Sequence, residues 1–474
     1  MALRAMTAEE RQLTQELLRR ARSAMQAAEH YDQPQVDRLC QAIGWAGGNE
    51  AAAARLASMS VDESGLGSRA PGRRSKVLGI LRDALRQKSM GVIEELPEKG
   101  IVKYAKPAGV IASLIPVTSP YITPIGIAIY AIKCKDAVIF SPHPASRKTT
   151  NETIRLMRAA LRRLDAPEDL LQCVANPSIP VSHELMSICD LTMATGGPPM
   201  VRAAYSSGKP AYGVGAGNAT MVIDETADID EAARNTRISK TNDYGSGCSA
   251  DGNLIVDSRI YDQFLAQLVA EGGYVVNAEE KAGLQAAYWD TDGHRTPDTI
   301  ARPARVVAEK AGFRIPDDKT FLIVPEDRIG REHLFSTEKL GTVLALFKYT
   351  GFDMALDMVR RIFETGGKGH SCGIYSFSDE HIHRLALAAP VSRMMVRQVQ
   401  SSSNAGTFTN GMPMTSSMGC GIWGGNITNE NISLKHYMNV TWVSRPIPED
   451  RPSEQELFGE FYNSAMFDVA GAAR

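Results

Sequence analysis

The chain has 474 residues, with 52 lysines and arginines against 54 aspartates and glutamates. That length predicts roughly two or three domains, each able to build a core without disulfide staples. The near balance of charge excludes the basic excess of a nucleic-acid or membrane-surface binder and points to a small-molecule partner.

Along the chain, residues 7–57 carry apolar and small side chains at helical spacing, including Leu13, Leu17, Ala21 and Met25, and predict helices packed on the protein's own surface. After a polar link at 65–76, GVIASLIP at 109–116 and DAVIFSP at 136–142 read as strands, with a helix at 121–134 between them. The alternation continues with a helix at 150–164, a strand at 170–175, a helix at 181–189, a strand at 191–195, a helix at 199–206 and a strand at 219–223. Such alternation predicts a doubly wound parallel sheet. A second alternation starts near Ile229 and includes 253–256, 264–270, 342–347, 355–363, 373–377 and 394–399, so the fold class is α/β with two such domains. No internal repeat is present, which excludes solenoids.

Seven cysteines (Cys40, Cys134, Cys173, Cys189, Cys248, Cys372, Cys420) lie far apart without a CxxC pair, as expected of a reducing cytoplasm. The first 25 residues are charged and lack an apolar signal core, and no apolar run reaches the roughly 18 residues of a membrane span. Secretion and membrane insertion are not expected. His370 with Cys372, His381 with His383 and Asp379 with Glu380 form short polar groups, but no fourth ligand falls at a recognised spacing, so no metal site is expected.

Cys248 stands apart from the other cysteines. It lies in YGSGCSADG, where glycines let backbone N–H groups face a developing oxyanion, whereas Cys134, Cys173 and Cys189 sit in apolar runs. Cys420, in MGCGIWGGN, is the rival in similar surroundings.

With IPVTSPYITP at 115–124, IFSPHPASRKTT at 139–150, ATGGPPMVRAA at 194–204, GKPAYGVGAGN at 208–218, EKLGTVLAL at 338–346, GKGHSCGIYS at 367–376 and MGCGIWGGNITNENI at 418–432, the chain resembles the CoA-acylating aldehyde dehydrogenases. The resemblance runs from about Val61 to Trp442. It implies an aldehyde dehydrogenase-like fold: a dinucleotide-binding domain over 1–223, a catalytic domain over 224–424, and a return over 425–474. It also implies a protruding β segment, with 95–108 and 439–444 contributing strands through which a homodimer or homotetramer forms.

By the same resemblance Cys248 is the nucleophile and the Thr118 hydroxyl donates to the oxyanion. Pro116 and Val117, then Ser141, Pro142 and His143, lie along the nucleotide, with the last three beneath the adenosine ribose. Thr195, Gly196 and Gly197 lie beside the pyrophosphate, Glu338 holds the nicotinamide ribose, and Gly213, Gly215 and Leu340 complete the cofactor-binding set. Hydrolytic relatives carry a water-activating glutamate where this chain has Gly213, so the implied acceptor of the acyl group is coenzyme A. A carboxylate that would repel a 2′-phosphate is missing near Pro144, while Arg147 and Lys148 follow, which favours NADP with NAD also possible. His143 and His370, in SPHP and GHSCG, are expected either to touch nucleotide phosphate or ribose or to make structural hydrogen bonds, and neither is expected to be a general base. The C-terminal segments resemble most the branch that acts on sulfoacetaldehyde, with acetaldehyde, propanal and succinate semialdehyde enzymes as cousins. Arg237, Lys240, Asn242 and Arg397 are candidate partners for an anionic substrate; Met412, Met414 and Trp423 are candidate walls for a neutral one.

Overall fold

Three sheets organise residues 4–70 and 72–462, the residues that the computed structural model describes. A five-stranded parallel sheet runs in the order Leu171–Cys173, Ala137–Pro142, Val110–Ile115, Leu191–Thr195, Ala211–Val214. Val110–Ile115 and Ala137–Pro142 are buried at every residue, which is why they appear in the sequence as unbroken apolar runs. The helix between them, Ile122–Lys133, is apolar all round and buried along its whole length. It therefore lies inside, covered by the helices Gln33–Gly48 and Arg74–Leu85. Burial of a branched side chain such as Ile125 or Ile139 contributes about 1.5–3 kcal/mol, and a continuous cluster of them holds this unit together.

The first three helices, Ala8–Ala27, Gln33–Gly48 and Glu50–Ser64, each start at a side-chain cap, from Thr7, Asp32 and Asn49. Ala8–Ala27 buries Leu17, Ala21 and Ala24 and leaves Leu13 in solvent. It packs on the protein's own surface, against the helix Ile179–Ile188 and the strand Ala137–Pro142. Arg20 pairs with Asp169 at 2.5 Å along its edge.

The second sheet has seven parallel strands in the order Gly273–Val275, Phe321–Glu326, Val343–Tyr349, Asn253–Asp257, Thr220–Ile223, Cys372–Tyr375, Met394–Val396. Here the structure differs from the sequence reading. The strand expected at 219–223 as the close of the first alternation pairs instead with Asn253–Asp257 and Cys372–Tyr375, inside the second sheet. Ala211–Val214 completes the first sheet, and the chain passes from one sheet to the other between 214 and 220 rather than after 223. Alternation of strand and helix gives the order of elements, and does not say to which sheet a strand belongs.

The third sheet is antiparallel, made of Gly91–Leu96, Ile101–Pro107 and Met438–Ser444. Its strand Met438–Ser444 exposes Val440, Trp442 and Val443. Of the return expected over 425–474, residues 463–474 lie outside the described residues. Among the described residues no helix is long and apolar enough to cross a membrane.

Candidate active site

The strands Val110–Ile115, Ala137–Pro142 and Leu191–Thr195 end at one cavity of about 790 Å³. In the first sheet the chain extends to one side of Val110–Ile115 and then resumes on the other. Open α/β sheets hold ligands at this reversal, outside the carboxyl ends of the strands. Pro116, Val117 and Thr118 follow the central strand into the wall. Ser141, Pro142 and His143 come from one neighbouring strand, and Thr195, Gly196 and Gly197 from the other. Gly215, Cys248, Glu338 and Leu340 close the far side.

Gly213 is the exception. It lies within Ala211–Val214, its amide and carbonyl both bonded to the Tyr205 hydroxyl at 3.1 and 3.0 Å, and a side chain there would meet Tyr205 and Val201 rather than the cavity. The segment that reaches the thiol is 215–217, two residues further on. It too carries no carboxylate, since Gly215 and Ala216 line the wall and Gly217 packs on Cys248. A Cβ at Gly217 would collide with the Cys248 carbonyl, so this approach requires glycine. The Gly217 amide donates to Glu338 Oε1 at 3.0 Å, tying the segment that packs on Cys248 to the carboxylate.

Cys248 follows the short turn Asn242–Gly245, in which Asp243 and Tyr244 take φ near +51°. Two non-glycine residues in the left-handed region mark local strain. Arg73 restrains this turn from the start of the helix Arg74–Leu85. Its Nη1 donates to the Thr118 carbonyl at 3.0 Å, its Nη2 donates to Ser246 Oγ at 2.6 Å, and Asp243 lies 2.5 Å away. One guanidinium thus joins the Thr118 loop to the Cys248 loop. The Thr118 hydroxyl makes no hydrogen bond among the described residues, and Thr118 lines the cavity.

His370 Nε2 lies 3.0 Å from Cys248 Sγ, and Nδ1 lies 2.8 Å from Ser371 Oγ. We assign the proton to Nδ1, donated to Ser371, which leaves Nε2 to accept from the thiol. Burial, and then the Arg393 charge, push His370 down to about 3. Burial, and then the Glu338 charge, push Cys248 up to about 12. The resting pair is therefore a neutral thiol and a neutral imidazole. Arg393 holds the histidine segment by donating to the His370 carbonyl at 3.0 Å and the Asn429 carbonyl at 3.1 Å, and also to Gly419. Neither expectation for His370, a nucleotide contact or a structural hydrogen bond, anticipates its contact with Cys248. The available signal is the glycine that opens GHSCG: Gly369 has φ +81°, and a Cβ there would collide with the Cys420 carbonyl.

Burial also raises Glu338 to about 7, against the Gly217 amide and the charges of Arg295, Lys240 and Lys339. This wall fits a dinucleotide. Gly196 and Gly197 precede the helix Pro198–Tyr205, whose N-terminus has no side-chain cap, and such an end accepts a pyrophosphate. Glu338 offers a carboxylate to ribose hydroxyls. His143 Nδ1 accepts the Ala145 amide at 3.2 Å.

Of the residues considered for the substrate end, Asn242 and Met414 line the cavity. Arg237 is paired with Glu271 at 2.6 Å, and Arg397 lies 4.0 Å over the Phe377 ring. Lys240 is buried off the wall, and Met412 and Trp423 are likewise not part of it. The cations that do line it, Arg73 and Lys76, belong to a stretch that reads in the sequence as the end of a polar link.

The aldehyde dehydrogenase family model matches residues 5–278. Over 451 residues the chain is 42% identical to a sulfoacetaldehyde dehydrogenase of Acholeplasma sp, covering 94% of this chain and 93% of that one. It is 41% identical over 451 residues to a sulfoacetaldehyde dehydrogenase (acylating) of Bilophila wadsworthia, covering 93% and 97%. An acetylating aldehyde dehydrogenase from Geobacillus thermoglucosidasius has the same fold, with a TM-score of 0.89 at 34% identity over 95% of this chain and 100% of that one. The chain belongs to the aldehyde dehydrogenase family.

Proposed function

We propose that the protein oxidises sulfoacetaldehyde to its acyl-CoA, with a nicotinamide dinucleotide as hydride acceptor and coenzyme A as acyl acceptor. The observation that carries this reading is the Cys248–His370 pair at 3.0 Å, beside a wall segment at 215–217 that holds no carboxylate. The sulfoacetaldehyde dehydrogenases at 42% and 41% identity support the substrate.

The thiol proton passes to His370 Nε2 as Sγ bonds the aldehyde carbon, giving a thiohemiacetal. The oxyanion receives the Cys248 amide and the Thr118 hydroxyl. The bound nicotinamide supplies a hydride acceptor, and a thioester to Cys248 remains once hydride has left. His370 returns its proton to solvent, then takes the proton of the incoming thiol as the new sulfur–carbon bond forms and hands it to the Cys248 sulfur as that leaves, which restores the neutral thiol and imidazole. A base held near 3 is poorly matched to water at a pKa of about 15.7 and better matched to a thiol at about 8.5. That gap of about seven units corresponds to roughly 10 kcal/mol in proton availability. Thiolysis therefore outruns hydrolysis.

Glu338 holds the nicotinamide ribose in this reading. Ser141, Pro142 and His143 lie under the adenosine ribose, and Thr195, Gly196 and Gly197 lie beside the pyrophosphate. NADP is the preferred nucleotide, with NAD also accepted: Arg147 stands exposed at the start of the helix Arg147–Arg162, with Nη1 3.3 Å from Asn176 Oδ1. The Glu63 carboxylate opposes this preference, because it accepts the Lys148 and Thr149 amides at 2.7 and 2.8 Å at the same helix end. The seven free cysteines support a cytoplasmic setting. The exposed strand Met438–Ser444 supports a homodimer or homotetramer, which light scattering tests. For the reaction itself, the test is product analysis: with sulfoacetaldehyde, the reading predicts one acyl-CoA per reduced nucleotide, and free sulfoacetate as the main product would overturn it.

A further inference from the structure

The charges that line the cavity are few. Glu338, tied to the 215–217 segment through the Gly217 amide, is its one carboxylate among the described residues, and Arg73, which donates to Ser246 beside Cys248, and Lys76 are its cations. Asp243 neutralises Arg73 from outside the cavity wall, at 2.5 Å. Lys76 has no such partner among the described residues. Its Nζ donates to three main-chain carbonyls, Ser402 at 3.2 Å, Ala405 at 3.1 Å and Gly406 at 2.7 Å. Carbonyl dipoles orient an ammonium group but leave its unit charge uncancelled, and a charge in that state is costly to bury. Burial, and then the Arg73 charge, push Lys76 down to about 8.

Two further features place this charge beside the reaction. Ser249, next to Cys248, donates to the Ser401 carbonyl at 3.2 Å, one residue from the Ser402 carbonyl that Lys76 holds. The helix Arg74–Leu85 begins on the same wall without a side-chain cap, so its positive end adds to the field of the lysine. An anion arriving here meets a formal charge already in place.

We propose that Lys76, at the positive end of its helix, is the seat of the anionic tail of the aldehyde, a sulfonate or carboxylate close to the carbonyl carbon. This rests on the reading above that the substrate is an anionic aldehyde, and it names the residue that makes the selection. Lys76 retains its carbonyl partners and adds the anion as a counter-charge; Arg73 remains the clamp between the two loops.

The test compares kcat/KM for sulfoacetaldehyde with that for propanal, with coenzyme A saturating. In Lys76→Met the ratio is expected to fall about 100-fold, and Lys76→Arg is expected to restore most of it. A ratio unchanged in Lys76→Met would overturn the seat and leave Lys76 as an anchor of the 402–406 segment. Should Lys76→Met fail to fold, the wild-type pH profile decides. The ratio falls about tenfold per unit once the pH passes the lowered pKa of Lys76 if Lys76 must be charged, and stays flat through about pH 10.5 if it need not be. Cys248 and His370 act on both aldehydes, so their titration cancels in the ratio. A wild-type enzyme that oxidises propanal but not sulfoacetaldehyde would instead overturn the substrate reading itself, an outcome visible before any variant is made.

Discussion

Replacing His370 by alanine removes the nearest acceptor of the Cys248 proton, the ring nitrogen 3.0 Å from Sγ. With the thiol pushed up to about 12 by burial, only a small fraction of the cysteine is thiolate at about pH 7.5 once that acceptor is gone. Enzyme general bases contribute about 10²–10⁴-fold, so the variant is expected to lose that much in kcat/KM for the aldehyde. The pH profile should also change form. Wild type, with an acceptor in place, should vary little between pH 7 and 9, whereas the variant should gain about tenfold per pH unit as hydroxide takes over proton removal. The assay is reduced-nucleotide formation at 340 nm across that range, with thermal unfolding as a control for the fold. Activity within threefold of wild type, with an unchanged profile, would refute the assignment of His370.

Gly217→Ala places a methyl group against the Cys248 carbonyl and should displace the nucleophile, with loss of more than about 100-fold in turnover; single-turnover formation of the acyl-enzyme checks it. Glu338→Gln keeps the shape of the side chain and removes the charge that now raises Cys248. It should make the thiol easier to ionise and raise the KM for nucleotide about 10-fold or more, read from alkylation rates against pH and from nucleotide titration. Glu63→Gln removes the carboxylate at the start of Arg147–Arg162 and should raise the NADP-to-NAD ratio of kcat/KM several-fold, about the effect of one nearby charge; a fall in the ratio would contradict the reading of this helix end.

Much of the architecture is legible in the sequence because buried parallel strands write themselves as unbroken apolar runs, as GVIASLIP and DAVIFSP do. Phe321–Glu326 and Ala211–Val214 escape that reading. The first is a short run ended by Pro325, which periodicity cannot tell from a helix segment, and the second carries a glycine at the sheet edge. The chemical identity of Cys248 is legible from its glycine-rich setting, and the wall residues follow from the ends of legible strands. His370 is not, because its contact with Cys248 spans 122 positions and exists only when two loops pack together. Lys76 is hidden in the same way: its carbonyl partners lie more than 320 residues away. Gly213 shows the converse error, where a motif position is right in sequence yet its side-chain direction points to Tyr205.

The most direct measurement mixes enzyme, sulfoacetaldehyde and oxidised nucleotide without coenzyme A, then adds coenzyme A. The thioester on Cys248 predicts one equivalent of reduced nucleotide per active site, an acyl adduct on Cys248 by mass spectrometry, and steady turnover to acyl-CoA only after the addition. Continuous release of free acid at the same rate before coenzyme A is added would contradict it.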